Sequence, residues 1–250
     1  MFKKLIDFLL KNKEIFPNGI GTTELPKSIF DGKQKTKSSD FKKYVNSYFK
    51  PQISELGFKG KDYIYYRENK NYTEIITFWT YKVGGAIAVD LSVKFKNINY
   101  PNNSNGSKEE NYEEAEFHKR LSPNNNLNKH KQNIWWWIFE EEEKDNIKLI
   151  EDIKRTFIKR GIEFFEQFEN HNEYIKKIDA KNYVNFPDFN ITIYLKRKEY
   201  KILFFLMYYN LNINEKVKAK QFAIKGKKSL ENENYGKEYL IEFEKSITKE

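Results

Sequence analysis

KDYIYYRENKNYTEIITFWTYKVGGAIAVDLSVKF, residues 61–95, is the stretch on which the fold turns. It divides into three runs of strand character. KDYIYYREN (61–69) alternates and is aromatic, and YTEIITFWTYK (72–82) is β-branched and aromatic. GAIAVDLSVKF (85–95) puts Ile87, Val89, Leu91, Val93 and Phe95 on one face. The connections, Lys70-Asn71 and Val83-Gly84, are too short for anything but antiparallel neighbours. The reading is a β-meander.

A helix precedes it. In SSDFKKYVNSYFKPQISELGF (38–58), Phe41, Val45, Tyr48, Phe49, Ile53 and Leu56 recur at helical spacing. Asp40 is the expected N-cap and Gly57 the expected left-handed C-cap. Pro51 removes an interior hydrogen bond, so a kink is expected there.

After the meander the pattern breaks. Residues 97–132 hold NNSNGS, the acidic EENYEEAE and PNNN, and read as a long excursion with a short helix around Tyr112–Arg120. NIWWWIF then restores apolar character. As a strand it sends Trp135, Trp137 and Phe139 one way and Ile134, Trp136 and Ile138 the other, so both faces need cover. Glu140–Glu143 and Asp145 fall just before and within the first turn of the next helix, where the helix dipole favours negative charge. Gly161 is expected to end that helix, and IEFFEQFENHNEYIKKI to start another.

The rest of the chain is helical. EYKILFFLMYYNLN, EKVKAKQFAIKGKKSLE and GKEYLIEFEKSI are separated by short breaks, which predicts paired antiparallel helices. FPDFNITIYLK fits a strand or a lead-in equally. At the other end, MFKKLIDFLLKNK imitates a signal peptide. However, Asp7 interrupts a short apolar run and no small-residue cleavage site follows, so an amphipathic helix is the reading. The expected organisation is 1–37 as helix and linker, 38–180 as an α+β domain with an antiparallel β-meander and helices packed on it, and 181–250 as a C-terminal helical extension.

Composition narrows the chemistry. Aromatics are 17% of the 250 residues, so Phe and Tyr must supply much of the core. Without cysteine there is no disulfide, thiolate metal site or thiol nucleophile, which suits the cytoplasm. No stretch is long enough to span a membrane, so no membrane partner is expected. The net charge of +9 is uneven. Residues 1–70 carry 15 basic and 8 acidic groups, residues 71–150 carry 10 and 12, and residues 151–250 carry 20 and 16. Lysine-rich low-GC coding explains the excess as readily as an anionic partner does.

His118, His130 and His171 form no i, i+4 pair; His118 beside Glu113, Glu114 and Glu116 is the one hard-metal grouping, and a solvated acidic loop explains it. KVGGA is a hairpin glycine pair, not a phosphate cradle, and no GxSxG exists. No catalytic residue, metal ligand or cofactor is therefore assigned. FKGKDYIYYRENKNY (58–72) mixes basic and aromatic residues as base-stacking sheets do, but an amphipathic strand has the same pattern.

Several of these features together resemble the family of domains of unknown function DUF4304. They are ISELGFKGKDYIYYR (53–67) leading from helix to strand, the pair ITFWTYK and IAVDLSV, HKRL (118–121) ahead of the tryptophans, and RGIEFFEQF (160–168). The resemblance spans residues 38–96 with 118–168. It implies an α+β domain with an antiparallel sheet, a bacterial source and no assigned catalytic residue. Domains of this kind can act as immunity proteins beside secreted toxins. The Asn-rich insert at 97–132 and the long N-terminal lead depart from the family.

The functional expectation is a non-catalytic bacterial binding protein, an immunity protein that blocks a toxin by direct contact. The alternative is a nucleic-acid-associated protein, or an enzyme whose site assembles only on folding. The expected partner-binding residues are Trp135, Trp137, Glu140, Glu141, Glu142, Arg67 and Arg120. Tryptophan and arginine are enriched at interfaces. Against this, the tryptophans suit a core, and the arginines suit ion pairs with Glu68, Glu74 or Glu116.

Overall fold

The computed structural model describes residues 19–21, 38–81, 84–96, 98–101, 115–123, 135–181, 183 and 199–248. The expected N-terminal helix, most of the excursion with EENYEE, and FPDFNITIYLK lie outside them. The chain divides into two compact units, one of Met1–Val93 with His118–Asn170 and one of Lys94–Phe117 with His171–Glu250.

The fold is α+β, with an antiparallel sheet and C-terminal helices. Among the described residues the strands are β1 (Gly19–Gly21), β2 (Lys59–Lys61), β3 (Ile64–Glu68), β4 (Tyr72–Thr80), β5 (Ala86–Phe95), β6 (Phe117–Arg120) and β7 (Trp135–Ile138). Their order is β1-β7-β5-β4-β3-β2, with β6 also on β5. The meander is therefore present, and its register is Tyr66↔Ile75 between β3 and β4. The 61–69 run is broken, however. Asp62, at φ 60°, turns the chain, and Lys59–Lys61 folds back on β3 as an edge strand. Asn46 pins this turn: its amide donates to Asp62 Oδ1 at 2.9 Å, and its Oδ1 accepts the Asp62 N–H at 3.0 Å.

The first helix, α1, runs from Ser38–Tyr44 through a π-helical turn, Val45–Phe49, into Lys50–Glu55. Asp40 lies inside its first turn, not at the N-cap as expected. The π turn has a reason in the spacing. Phe41, Val45, Phe49 and Ile53 are all buried and four residues apart, which in an α-helix drifts by about 40° per step. A wider turn returns the stripe to one face. It also eases the passage of Pro51, since the Lys50 N–H bonds to the Val45 carbonyl instead of one residue nearer. The helix ends as read: Gly57 has φ 88°, with Phe58 N–H on Ile53 O and Gly57 N–H on Ser54 O, both 3.0 Å.

The second long helix, α2, repeats the device. It runs through Glu143–Thr156, a π turn Phe157–Gly161, and Ile162–Glu166. Gly161 does not end it, contrary to expectation. A Cβ there would sit 2.4 Å from the Phe157 ring, so glycine makes room for the ring inside a continuous helix. Leu149, Ile153, Phe157, Gly161 and Phe165 are again buried at strict spacings of four. The core of the first unit lies between these helices and the sheet. Phe49 meets Phe78, Phe157 and Tyr65 edge-on, with centroids 5.0, 5.9 and 6.0 Å apart, and such pairs add about 0.5–1.5 kcal/mol each beyond area burial.

The second unit contains a short helix α3 (His171–Lys176) and three longer ones, α4 (Glu199–Asn212), α5 (Lys216–Leu230) and α6 (Lys237–Thr248). The three-helix reading of the C-terminal segment holds. Gly226 on α5 takes the Phe243 ring of α6, and Tyr200 and Phe204 on α4 meet Tyr239 at 4.8 and 5.2 Å.

Candidate functional site

The strand–helix junction at residues 135–146 carries five of the seven expected contact residues. Trp135, Trp136 and Trp137 are buried, at 6%, 7% and 0% exposure. Their alternation follows the pleat. The Trp137 indole N–H donates to Asp152 Oδ2 of α2 at 2.8 Å, and Trp135 packs edge-on against Trp137. On the other face, Trp136 and Ile138 cluster with Ala86, Ala88, Trp79 and Tyr81. Both faces are covered, as a doubly apolar strand requires. Trp135 and Trp137 therefore serve the core of this chain, and their rings are withdrawn from solvent.

The acidic run emerges where the strand ends. Glu140 is half-buried, and Glu141, Glu142 and Glu143 are exposed. Helix α2 begins at Glu143, so Glu143 and Asp145 occupy its first turn, beside the dipole's positive end. The backbone is clamped. Buried Asn146 accepts the Glu140 N–H and donates to the Glu140 carbonyl, both at 2.9 Å. One residue earlier, the Phe139 N–H bonds Gly85 O at 2.9 Å and its ring packs on Phe41. The carboxylates are thus displayed from a fixed backbone. Lys144 pairs with Glu142, and Lys43 lies 3.8 Å from Glu143. The sequence reading passed over Asn146, because a reach back across the helix start is not written in any local pattern.

The two arginines lie apart from this junction. Arg67 pairs with Glu74, which is nearly buried, donates to Leu56 O at 3.0 Å and stacks over Phe58 at 4.7 Å. Burial raises the Glu74 carboxyl above its ordinary range despite the arginine's opposing pull. Arg120 pairs with Asp90 at 2.8 Å. Two residues along both strands, Ser92 Oγ and His118 Nδ1 are 2.9 Å apart. Asp90, Ser92, His118 and Arg120 thus make a cross-strand polar ladder between β5 and β6. Ser92 is fully buried, so this bond staples the strands and its hydroxyl is out of reach of a substrate.

His118 was expected to lie beside acidic residues of a solvated loop. Its Nδ1 meets Ser92 on β5, and Glu116 is itself buried. Glu116 accepts the Phe95 N–H at 2.8 Å and the Tyr100 hydroxyl. Burial pushes its carboxyl up to about 7, outweighing both hydrogen bonds. The helix expected around Tyr112–Arg120 is also corrected: residues 117–120 form β6, because pairing with β5 overrides local preference. Among the described residues, no three His, Asp or Glu side chains gather where a metal ion could bind, and no helix is long and apolar enough to cross a membrane.

No curated protein and no solved structure matches the chain. A family model does: the domain of unknown function DUF4304 matches residues 49–167. That segment begins in the π turn of α1, includes the meander, the polar ladder and the tryptophan strand, and ends as α2 ends. The resemblance to the DUF4304 family is thereby shown for this part of the chain.

Proposed function

We propose that this is a non-catalytic bacterial binding protein of the cytoplasm, acting as an immunity protein that covers the basic surface of a toxin. The observation that carries it is the acidic junction. Glu141 and Glu142 stand exposed on a backbone locked by Asn146, Phe139 and the start of α2. A preformed surface loses little entropy on binding. Exposed like charges on such a surface speed encounter with a cationic partner and sharpen its selection. The buried tryptophans contribute by making the platform rigid, and Arg67 and Arg120 by holding β3–β4 and β5–β6 in register. The test is charge reversal at the two exposed positions. Glu141→Lys with Glu142→Lys leaves the core untouched, so its melt should show no more than the loss of about 1–2 kcal/mol that charge reversal at a helix start brings. The parent should retain a basic protein from an extract of the encoding cell, and the variant should associate with it at least about tenfold more slowly at low salt. Equal association by both forms overturns the reading.

The second reading is nucleic-acid binding at the β2–β3 hairpin, where exposed Lys59 and Lys61 sit beside half-buried Tyr63 and Tyr66. A salt-sensitive mobility shift of single-stranded nucleic acid, lost in Lys59→Glu with Lys61→Glu, distinguishes it.

A further inference from the structure

Helix α5 buries Ala219, Phe222, Ala223, Gly226 and Leu230 against its own unit. Its opposite side is unusual for a surface helix. Val217 is 76% exposed and Ile224 is 51% exposed. With exposed Gln221 and Lys228 they follow one another at i, i+4, i+7 and i+11. That is the spacing of a coiled-coil seam, with Val217 and Ile224 at one core position and Gln221 and Lys228 at the other. The flanking positions are then fixed by geometry. They are Lys218 and Lys225 on one side and Lys220 and Lys227 on the other, and all four are lysine. No acidic residue occurs between Lys216 and Leu230. Three of the flanking lysines already bind their own unit along part of their length: Lys218 to the Lys176 carbonyl, Lys225 over Tyr183 and Lys227 to Glu244. Lys220 is exposed.

We propose that this ridge of α5 is a docking seam for an acidic amphipathic helix of a partner protein. It belongs to the second unit, whereas the acidic junction belongs to the first, and it takes a partner of opposite charge. Charge complementarity selects the occupant. A second copy of α5 would set lysine against lysine at every flanking position, which disfavours self-pairing. A helix with aliphatic residues on its seam and glutamates beside it would cover Val217 and Ile224 and pair with the lysines. A nucleic acid would use the lysines but leave both aliphatic side chains without cover. The seam is about 22 Å long, the length of the helix, so one partner helix of similar length fills it.

The test uses the full chain and a labelled peptide of three heptads, with Ile and Leu at the core positions and Glu at the flanks. Fluorescence anisotropy should show saturable binding that weakens with salt. Ile224→Asp and Lys220→Glu, both at exposed positions, should each weaken it at least about tenfold. Gln221→Leu, which adds an apolar residue to the seam, should strengthen it by a similar factor. The same peptide with Lys at the flanks should not bind. The proposal is overturned if the Glu peptide fails to bind, or if Ile224→Asp leaves its affinity unchanged. It is overturned equally if duplex DNA or vesicles of phosphatidylserine and phosphatidylcholine bind the ridge more tightly than the peptide.

Discussion

Replacing Glu116 by Gln should stabilise the second unit at neutral pH and leave it unchanged in acid. Glu116 is buried, and its carboxyl stays protonated up to about pH 7 instead of the ordinary 4.5. Below about 4.5 the group is protonated in both the folded and the unfolded chain and contributes nothing. Between about 4.5 and 7 the unfolded chain releases its proton while the folded chain holds it. Unfolding is then favoured by about 1.4 kcal/mol for each unit of pH, or about 3 kcal/mol in all. Above pH 7 the loss is constant. Glutamine keeps the shape and both contacts: its oxygen can accept the Phe95 N–H, and its amide can donate to the Tyr100 hydroxyl. It has no proton to lose. Urea melts from about pH 4 to about pH 8, followed by circular dichroism, should show the variant drawing level with the parent in acid and ahead of it by about 3 kcal/mol at pH 8. Tryptophan emission, recorded alongside, reads the first unit alone, because all four tryptophans lie there. Glu74 and Asp152, also raised by burial, are common to both proteins and cancel in the difference. A gap that stays constant across the whole pH range refutes the argument.

Gly161→Ala tests the π turn by the sign of its effect. Helix propensity alone favours alanine by about 1 kcal/mol, but the new Cβ would strike the Phe157 ring, so a loss of about 1–3 kcal/mol is expected in urea melts. Arg67→Ala should cost about 3–5 kcal/mol by stranding the buried Glu74 carboxylate. Arg67→Lys should recover only part of this, since an ammonium cannot serve Glu74, Leu56 O and the Phe58 ring together; a lysine variant as stable as the parent would sink that account.

The sequence by itself determined the local elements. Alternation with short connections specified the meander, and apolar spacing specified the three C-terminal helices. Gly57 marked a helix end because a left-handed residue is needed there. The glutamates at a helix start were legible from the dipole alone. The π turns were also written in the sequence, as buried residues four apart at 41, 45, 49 and 53 and again at 149, 153, 157, 161 and 165, though a general helical reading passes over the distinction. Tertiary structure decided whatever depends on partners distant in sequence. Gly161 looks like a helix end until the Phe157 ring occupies the space above it. Residues 117–120 looked helical until the edge of β5 offered them hydrogen bonds. Glu116 and Glu142 are the same residue type, yet one titrates near neutrality and the other is an exposed charge at a helix start. What separates them is desolvation, a property of the folded surroundings that no local stretch of sequence contains.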